Sequence, residues 1–242
     1  MNHETKIIIE AESESSVRMS FGDSIDEQIL QRITAINESL HQAPFPGFIE
    51  SVPAYTTLTV FYDPLLVSSA AESPGIYAFQ LVINYLKKFT NEIKQSRSVP
   101  DTSPIKIPVC YGGKFGPDIE EVAEYNKLSI ENVIRLHAER IYIVYMVGFL
   151  PGFPYLGGIN EKLATPRRLN PRKTVPAGSV GIAGAQTGIY PLSSPGGWQL
   201  IGRTPMRLFD PQLTSPALLR AGNRIQFSSI TYSEFQYLSS DE

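Results

Sequence analysis

GFLPGFPYLGG at residues 148–158, PRKTVPAGSVGIAGAQTGIYP at 171–191 and SPGGWQLIGRTP at 194–205 decide how this chain folds. The span 148–205 holds 11 of the 18 glycines, 8 of the 19 prolines and the sole tryptophan, Trp198. Glycine permits positive φ and close backbone approach, while proline fixes φ near −65°. That density predicts tight turns between short strands, a compact β-rich domain. Between Leu163 and Phe209 stand Arg167, Arg168, Arg172, Lys173, Arg203 and Arg207, with no Asp or Glu. In a protein of formal charge −3 this local excess points either to a small anionic ligand, a carboxylate or a phosphate, or to a solvated arginine-rich surface.

Outward from that stretch, the whole chain of 242 residues is long enough for one or two domains with their own cores. Its negative net charge argues against nucleic acid as a partner. The single cysteine, Cys110, cannot form an internal disulfide, which fits a reducing, cytoplasmic setting. MNHETKIIIEAESESS at the N-terminus lacks the basic and apolar regions of a signal peptide. No apolar run reaches the roughly 20 residues of a membrane span.

Toward the N-terminus, residues 6–10 and 17–21 read as strands. Ser24-Ile25-Asp26-Glu27 reads as a capping box, followed by Ile25, Ile29, Ile33, Ile36 and Leu40 at helical spacing over 24–41. Residues 48–52 and 56–62 are strand-like, the latter rich in β-branched and aromatic types. Ser73-Pro74 predicts the start of a second helix with Phe79, Val82, Leu86, Phe89 and Ile93 on its buried face. Polar residues 94–104 read as a linker and 105–111 as another strand. Strand, helix, strand, strand, helix, strand is the order of a ferredoxin-like α/β unit, with 105–111 as its fourth strand. The expected domains are therefore 1–111 and 112–242, or a boundary near residue 100. Beyond it come a Gly-rich turn at 111–117, helices from Asp118 and from the cap Ser129, and a strand at 141–146 buried on both faces.

The motifs exclude several chemistries. Gly112-Gly113-Lys114 is followed by Phe115, so the turn is not a P-loop. Gly178, Gly181 and Gly184 lack the spacing of a dinucleotide fingerprint. The helical pair 118–137 is acidic and would repel DNA phosphates. Three histidines, none in a ligand pattern, predict no metal site. Ser179 does not sit in the GxSxG of a nucleophile elbow. His137, near a helix C-terminus, is either a satisfied structural residue or a proton carrier. Phe149, Phe153, Tyr155 and Trp198 either pack the core or wall a pocket. Successive N–H groups of Gly196 and Gly197 are candidates for an anion nest, completed by Gln186, Arg168 and Arg203.

Together the three quoted motifs resemble the B-subunit family of ATP-dependent 5-oxoprolinase, also labelled allophanate hydrolase subunit 1. That family includes an inhibitor of a sporulation sensor histidine kinase. The resemblance covers nearly the whole chain and is most specific over 111–210. It implies an α+β protein, a ferredoxin-like domain followed by a cyclophilin-like β-barrel. It implies a cytoplasmic hydrolase component that works with the C and A subunits of 5-oxoprolinase to open 5-oxo-L-proline to L-glutamate. ATP is used by the complex, with its site on the A subunit and no cofactor or metal on this chain. The alternative is a kinase inhibitor acting on the sensor kinase. Expected substrate-binding residues are Phe149, Phe153, Arg168, Arg172, Gln186, Ser194, Gly196, Gly197, Trp198 and Arg203, with His137 as the proton carrier.

Overall fold

The computed structural model describes residues 7–70, 75–93 and 103–240. The chain divides after Asp101 into two compact units. The first runs β1 (Ile8–Ser13), β2 (Ser16–Ser20), α1 (Glu27–Gln42), β3 (Phe48–Ala54), β4 (Thr57–Tyr62), α2 (Pro64–Ser69) and α3 (Ala78–Ile93). Its sheet is antiparallel in the order β1-β2-β4-β3. β4 shows why: TLTVFY alternates, so Leu58, Val60 and Tyr62 all point into the core. There they meet Ile33, Ile36 and Leu40 of α1 and Val82 and Leu86 of α3.

Two local expectations change here. α1 starts at Glu27, not at residue 24, because the Asp26 carboxylate accepts from the N–H groups of Gln28 (2.7 Å) and Ile29 (3.2 Å). α2 has no counterpart in the sequence reading; Asp63 caps it in the same way, with Pro64 in its first turn. The expected helix start at Ser73-Pro74 and most of the linker 94–104 lie outside the described residues.

One topological expectation is corrected. The strand at 105–111 does not complete the N-terminal sheet, because its ladder partners lie in the second unit. The sheet edge next to β2 is taken instead by β1, whose hairpin to β2 needs only a two-residue connection.

The second unit contains β5 (Ile105–Tyr111), α4 (Ile119–Tyr125), α5 (Ile130–Ala138), β6 (Ile141–Val147), β7 (Pro154–Gly157), β8 (Arg172–Val175), β9 (Ser179–Ala183), β10 (Gln186–Ile189), β11 (Ser194–Gly196), β12 (Gln199–Arg203), β13 (Arg224–Ser229) and α6 (Tyr232–Ser240). Seven strands follow in the order β6-β13-β5-β12-β9-β10-β7, and β7 pairs back onto β6. The result is a closed barrel, which leaves no open edge among those strands. β8 and β11 form a separate ribbon. The strands β7 to β12 of the turn-rich stretch are only three to five residues long, as glycine and proline punctuation demands. Ile107, Val109, Tyr142, Val144, Val180, Ile182, Ile201 and Phe227 share one core with Ile119 and Val122 of α4 and Val133 and Leu136 of α5. β6 is not buried on both faces as expected: Tyr142 and Val144 are buried, whereas Ile141 is exposed.

Candidate functional site

The arginines of the turn-rich stretch separate to opposite ends of β12. At its start lies Asp118, the residue before α4, only 3% exposed. Its carboxylate does not cap the helix. One oxygen, Oδ1, accepts from Arg168 (2.7 Å) and Arg172 (2.6 Å); Oδ2 accepts from the Leu200 N–H (2.7 Å). Glu121, one turn on, also faces Arg168 at 3.4 Å. The loop carrying Arg168 and the ribbon strand carrying Arg172 are thus tied to the barrel through one buried charge. Charge-assisted bonds of this kind are about twice as strong as neutral ones. Arg168 and Arg172 are thus paired with Asp118 and not placed at the pocket that Arg203 lines, although among the described residues Arg168 Nε and Arg172 Nη1 have no hydrogen-bond partner.

At the far end of β12 the arrangement differs. Arg203 donates from Nε to the carbonyl of Ala177 (2.7 Å), and its guanidinium lies 5.9 Å over the Phe115 ring. Among the described residues no carboxylate lies within salt-bridge distance of it. Burial lowers its pKa, yet arginine keeps its proton at neutral pH. It lines a pocket of about 610 Å³ together with Arg207, Thr204, Met206 and Phe209, with Phe235 from α6 also on its wall. Arg207 also reaches Asp210 at 3.0 Å. A cation set among apolar walls and held by one nitrogen leaves its terminal nitrogens for an anionic ligand.

His137 sits elsewhere. It is fully buried, stacked on Phe227 with ring centroids 4.4 Å apart. The hydroxyl of Thr187 gives its proton to the Gly181 carbonyl (2.9 Å), so it accepts from His137 Nε2 (3.0 Å). Nδ1 is then the bare nitrogen and accepts from the Tyr111 hydroxyl (2.8 Å). Burial pulls the imidazole pKa down to about 3. With both nitrogens engaged and the ring wholly enclosed, His137 is a neutral core residue, which corrects the proton-carrier expectation.

The remaining expected residues form a third group. Phe153, Tyr190 and Trp198 are buried, with Tyr155 packed on them. Phe153 meets Trp198 edge to face at 5.4 Å. These rings fill a core rather than a pocket, and only Phe149 is exposed, held at φ +71° in the turn after β6. Gly196 pairs with Arg172 in the ribbon, and the Gly197 carbonyl accepts from the Arg168 N–H (2.8 Å). Neither has the positive φ that a nest of alternating hand requires, so the anion-nest expectation fails. Ser194 donates to the neighbouring Pro195 carbonyl, and Gln186 opens β10 half-buried. Of the ten expected binding residues, the structure brings Arg203 alone to the pocket.

A family model described as carboxyltransferase domain, subdomain C and D, matches residues 7–219. The 5-oxoprolinase B subunit of Bacillus subtilis is 48% identical over 227 residues, 94% of each chain. That of Haemophilus influenzae is 43% identical over 89% of this chain and 94% of its own. The chain belongs to the family of 5-oxoprolinase B subunits. A solved protein from Pyrococcus horikoshii, described as conserved and uncharacterized, is 44% identical over 94% of this chain and all of that one, with a TM-score of 0.54. The crystal structure of TTHA0988 has a TM-score of 0.74 at 38% identity; this chain spans 39% of its length. The urea amidolyase of K. lactis, 17% identical with a TM-score of 0.74, shares the fold.

Within this member of the B-subunit family, sequence reasoning missed Asp118, Thr187 and Phe235. Asp118 stands outside the acid-free stretch, although it is the acid that neutralises two of its arginines. Its only local signal is position at a helix start, which suggests a cap. Among the described residues no cluster of three or more metal-ligating side chains occurs, and no helix is long and apolar enough to cross a membrane.

Proposed function

We propose that this chain is a non-autonomous component of an ATP-dependent 5-oxoprolinase, acting with the A and C subunits to open 5-oxo-L-proline to L-glutamate. The observation that carries this reading is its 43–48% identity to three proteins named as the B subunit of 5-oxoprolinase. A lactam carbonyl is a poor electrophile; transfer of the γ-phosphoryl group of ATP to its oxygen, releasing ADP, activates the carbon. Water adds there, the ring C–N bond breaks as the nitrogen takes a proton, and a second water hydrolyses the resulting acyl phosphate to glutamate and inorganic phosphate. ATP chemistry belongs to the A subunit in this reading. The role of this chain is to hold the small acid.

Arg203 is the residue proposed to take the substrate carboxylate. Its Nε is already fixed on Ala177, so the planar guanidinium is oriented before the ligand arrives. The pocket volume of about 610 Å³ exceeds what the lactam needs and leaves space for a phosphoryl group beside it. The barrel is read as cyclophilin-like. The first unit is read as a ferredoxin-like sheet in which β1 fills the place of the last strand, since the order β1-β2-β4-β3 preserves its neighbours.

The test mixes the purified chain with the A and C subunits and follows ATP-dependent glutamate release. Arg203→Lys keeps the charge but removes the fork and the Ala177 bond. It should raise KM about tenfold or more, the loss expected for one charge-assisted bond of roughly 1.5–3 kcal/mol. Unchanged kinetics would remove Arg203 from the site, and no glutamate from the wild-type mixture would remove the activity.

A further inference from the structure

The Gly-rich turn between β5 and α4 is no nucleotide loop, yet its geometry is tightly specified. Gly112 and Gly113 take φ of +71° and +51°. A Cβ on Gly116 would lie 2.0 Å from the Ile201 carbonyl oxygen, so the turn rests directly on β12. This close approach projects Lys114 and Phe115 toward Arg203 and α6. The Phe115 ring lies under the Arg203 guanidinium and 4.3 Å from the ring of Phe235. Lys114 donates to the Tyr232 hydroxyl (2.8 Å) and lies 4.4 Å over that ring.

α6 itself begins with a capping box. Thr231 accepts from the Glu234 N–H, and the Glu234 carboxylate accepts from the Thr231 N–H (2.7 Å) and hydroxyl (2.8 Å). None of its described residues is buried. Its contacts with the barrel unit include those to Phe115 and Lys114. Phe235 and Ser239 form one wall of the Arg203 pocket. The matched family region ends at residue 219, so this wall lies beyond it.

We infer that the turn Gly112–Gly116 and α6 form one positioning unit for Arg203. Phe115, 5.9 Å from the guanidinium at cation–π range, biases its position for a carboxylate, and Phe235, docked on Phe115, supplies one wall around the acid. The inference rests on the reading of the pocket as the substrate site. Phe115 and Phe235 are positioning residues; neither touches the reacting carbonyl.

The experiment uses the full chain in the reconstituted complex with 5-oxo-L-proline as substrate. Phe115→Leu removes the ring and keeps an apolar side chain, and Phe115→Tyr restores a ring. Phe235→Ala removes the wall. A cation–ring contact of this exposure corresponds to a KM rise of roughly threefold to thirtyfold for Phe115→Leu, with kcat little changed. Phe115→Tyr should return KM close to wild type, and Phe235→Ala should raise KM in the same range. Circular dichroism and co-elution with the partner subunits identify any variant that has lost its fold, in which case Phe235→Ala, on a helix with no buried residue, carries the test. Three outcomes overturn the inference. The first is an unchanged KM in both variants while Arg203→Lys is impaired, which spares the pocket assignment. The second is an unchanged KM in all three, which removes the pocket as well. The third is a fall in kcat alone that tyrosine does not rescue.

Discussion

Replacing Asp118 by asparagine would keep the shape of the side chain and remove the one charge that holds two arginines. An amide oxygen can still accept from Leu200, but the amide NH2 would point donors at donors on Arg168 or Arg172. Removing one partner of a buried ion pair typically costs about 3–5 kcal/mol. Here the arginine side chains remain 29% and 24% exposed, so water screens part of the loss. We expect Asp118→Asn to lower the stability of the barrel unit by about 2–3 kcal/mol. For a domain of that size this is a fall in Tm of roughly 8–12 °C. The assay is urea unfolding of the isolated chain, followed by the fluorescence of Trp198, which lies in the adjoining core. Arg172→Met alone should cost less, because Arg168 still faces the carboxylate. The double variant should be non-additive by about 1 kcal/mol or more, since both changes touch one network. A loss below about 1 kcal/mol in Asp118→Asn, or strict additivity, would refute the view that Asp118 holds both arginines in one network.

Further outcomes follow from the same geometry. His137, with a folded pKa of about 3 against 6.5 when exposed, binds its proton more readily in the unfolded chain. Its contribution is complete above pH 6.5 and is lost as pH falls toward 3, by at most about 4–5 kcal/mol. His137→Gln should flatten that part of the stability profile, and an equally steep profile in the variant would contradict the assignment. Gly116→Ala would drive a Cβ to 2.0 Å from the Ile201 carbonyl oxygen and should destabilise by roughly 1–3 kcal/mol. Thermal unfolding indistinguishable from wild type would show that the turn can move away from β12.

Much of the chain is legible because its signals are local. The alternation in TLTVFY, the helical spacing in α1 and the proline and glycine density of 148–205 each act within a few residues, so composition and period are enough to read them. The strand 105–111 is bounded correctly by its own residues, yet its partners β12 and β13 are about ninety and a hundred and twenty positions away. Nothing in IKIPVCY names those partners, so a local reading places the strand in the wrong sheet.

By itself, then, the sequence determined most of the N-terminal helices and strands, the turn-rich character of 148–205, the family, and the presence of a cationic excess in the second half. Only the tertiary structure separated the arginines paired with Asp118 from the one that lines the pocket. Asp118 lies 50 residues from Arg168 and 54 from Arg172, and it neutralises both. Arg203, on the same strand as the Leu200 that Asp118 also binds, escapes that pairing and faces the pocket. Electrostatic roles depend on separation in space and on burial, and the closure of a barrel sets both without leaving a trace in local spacing.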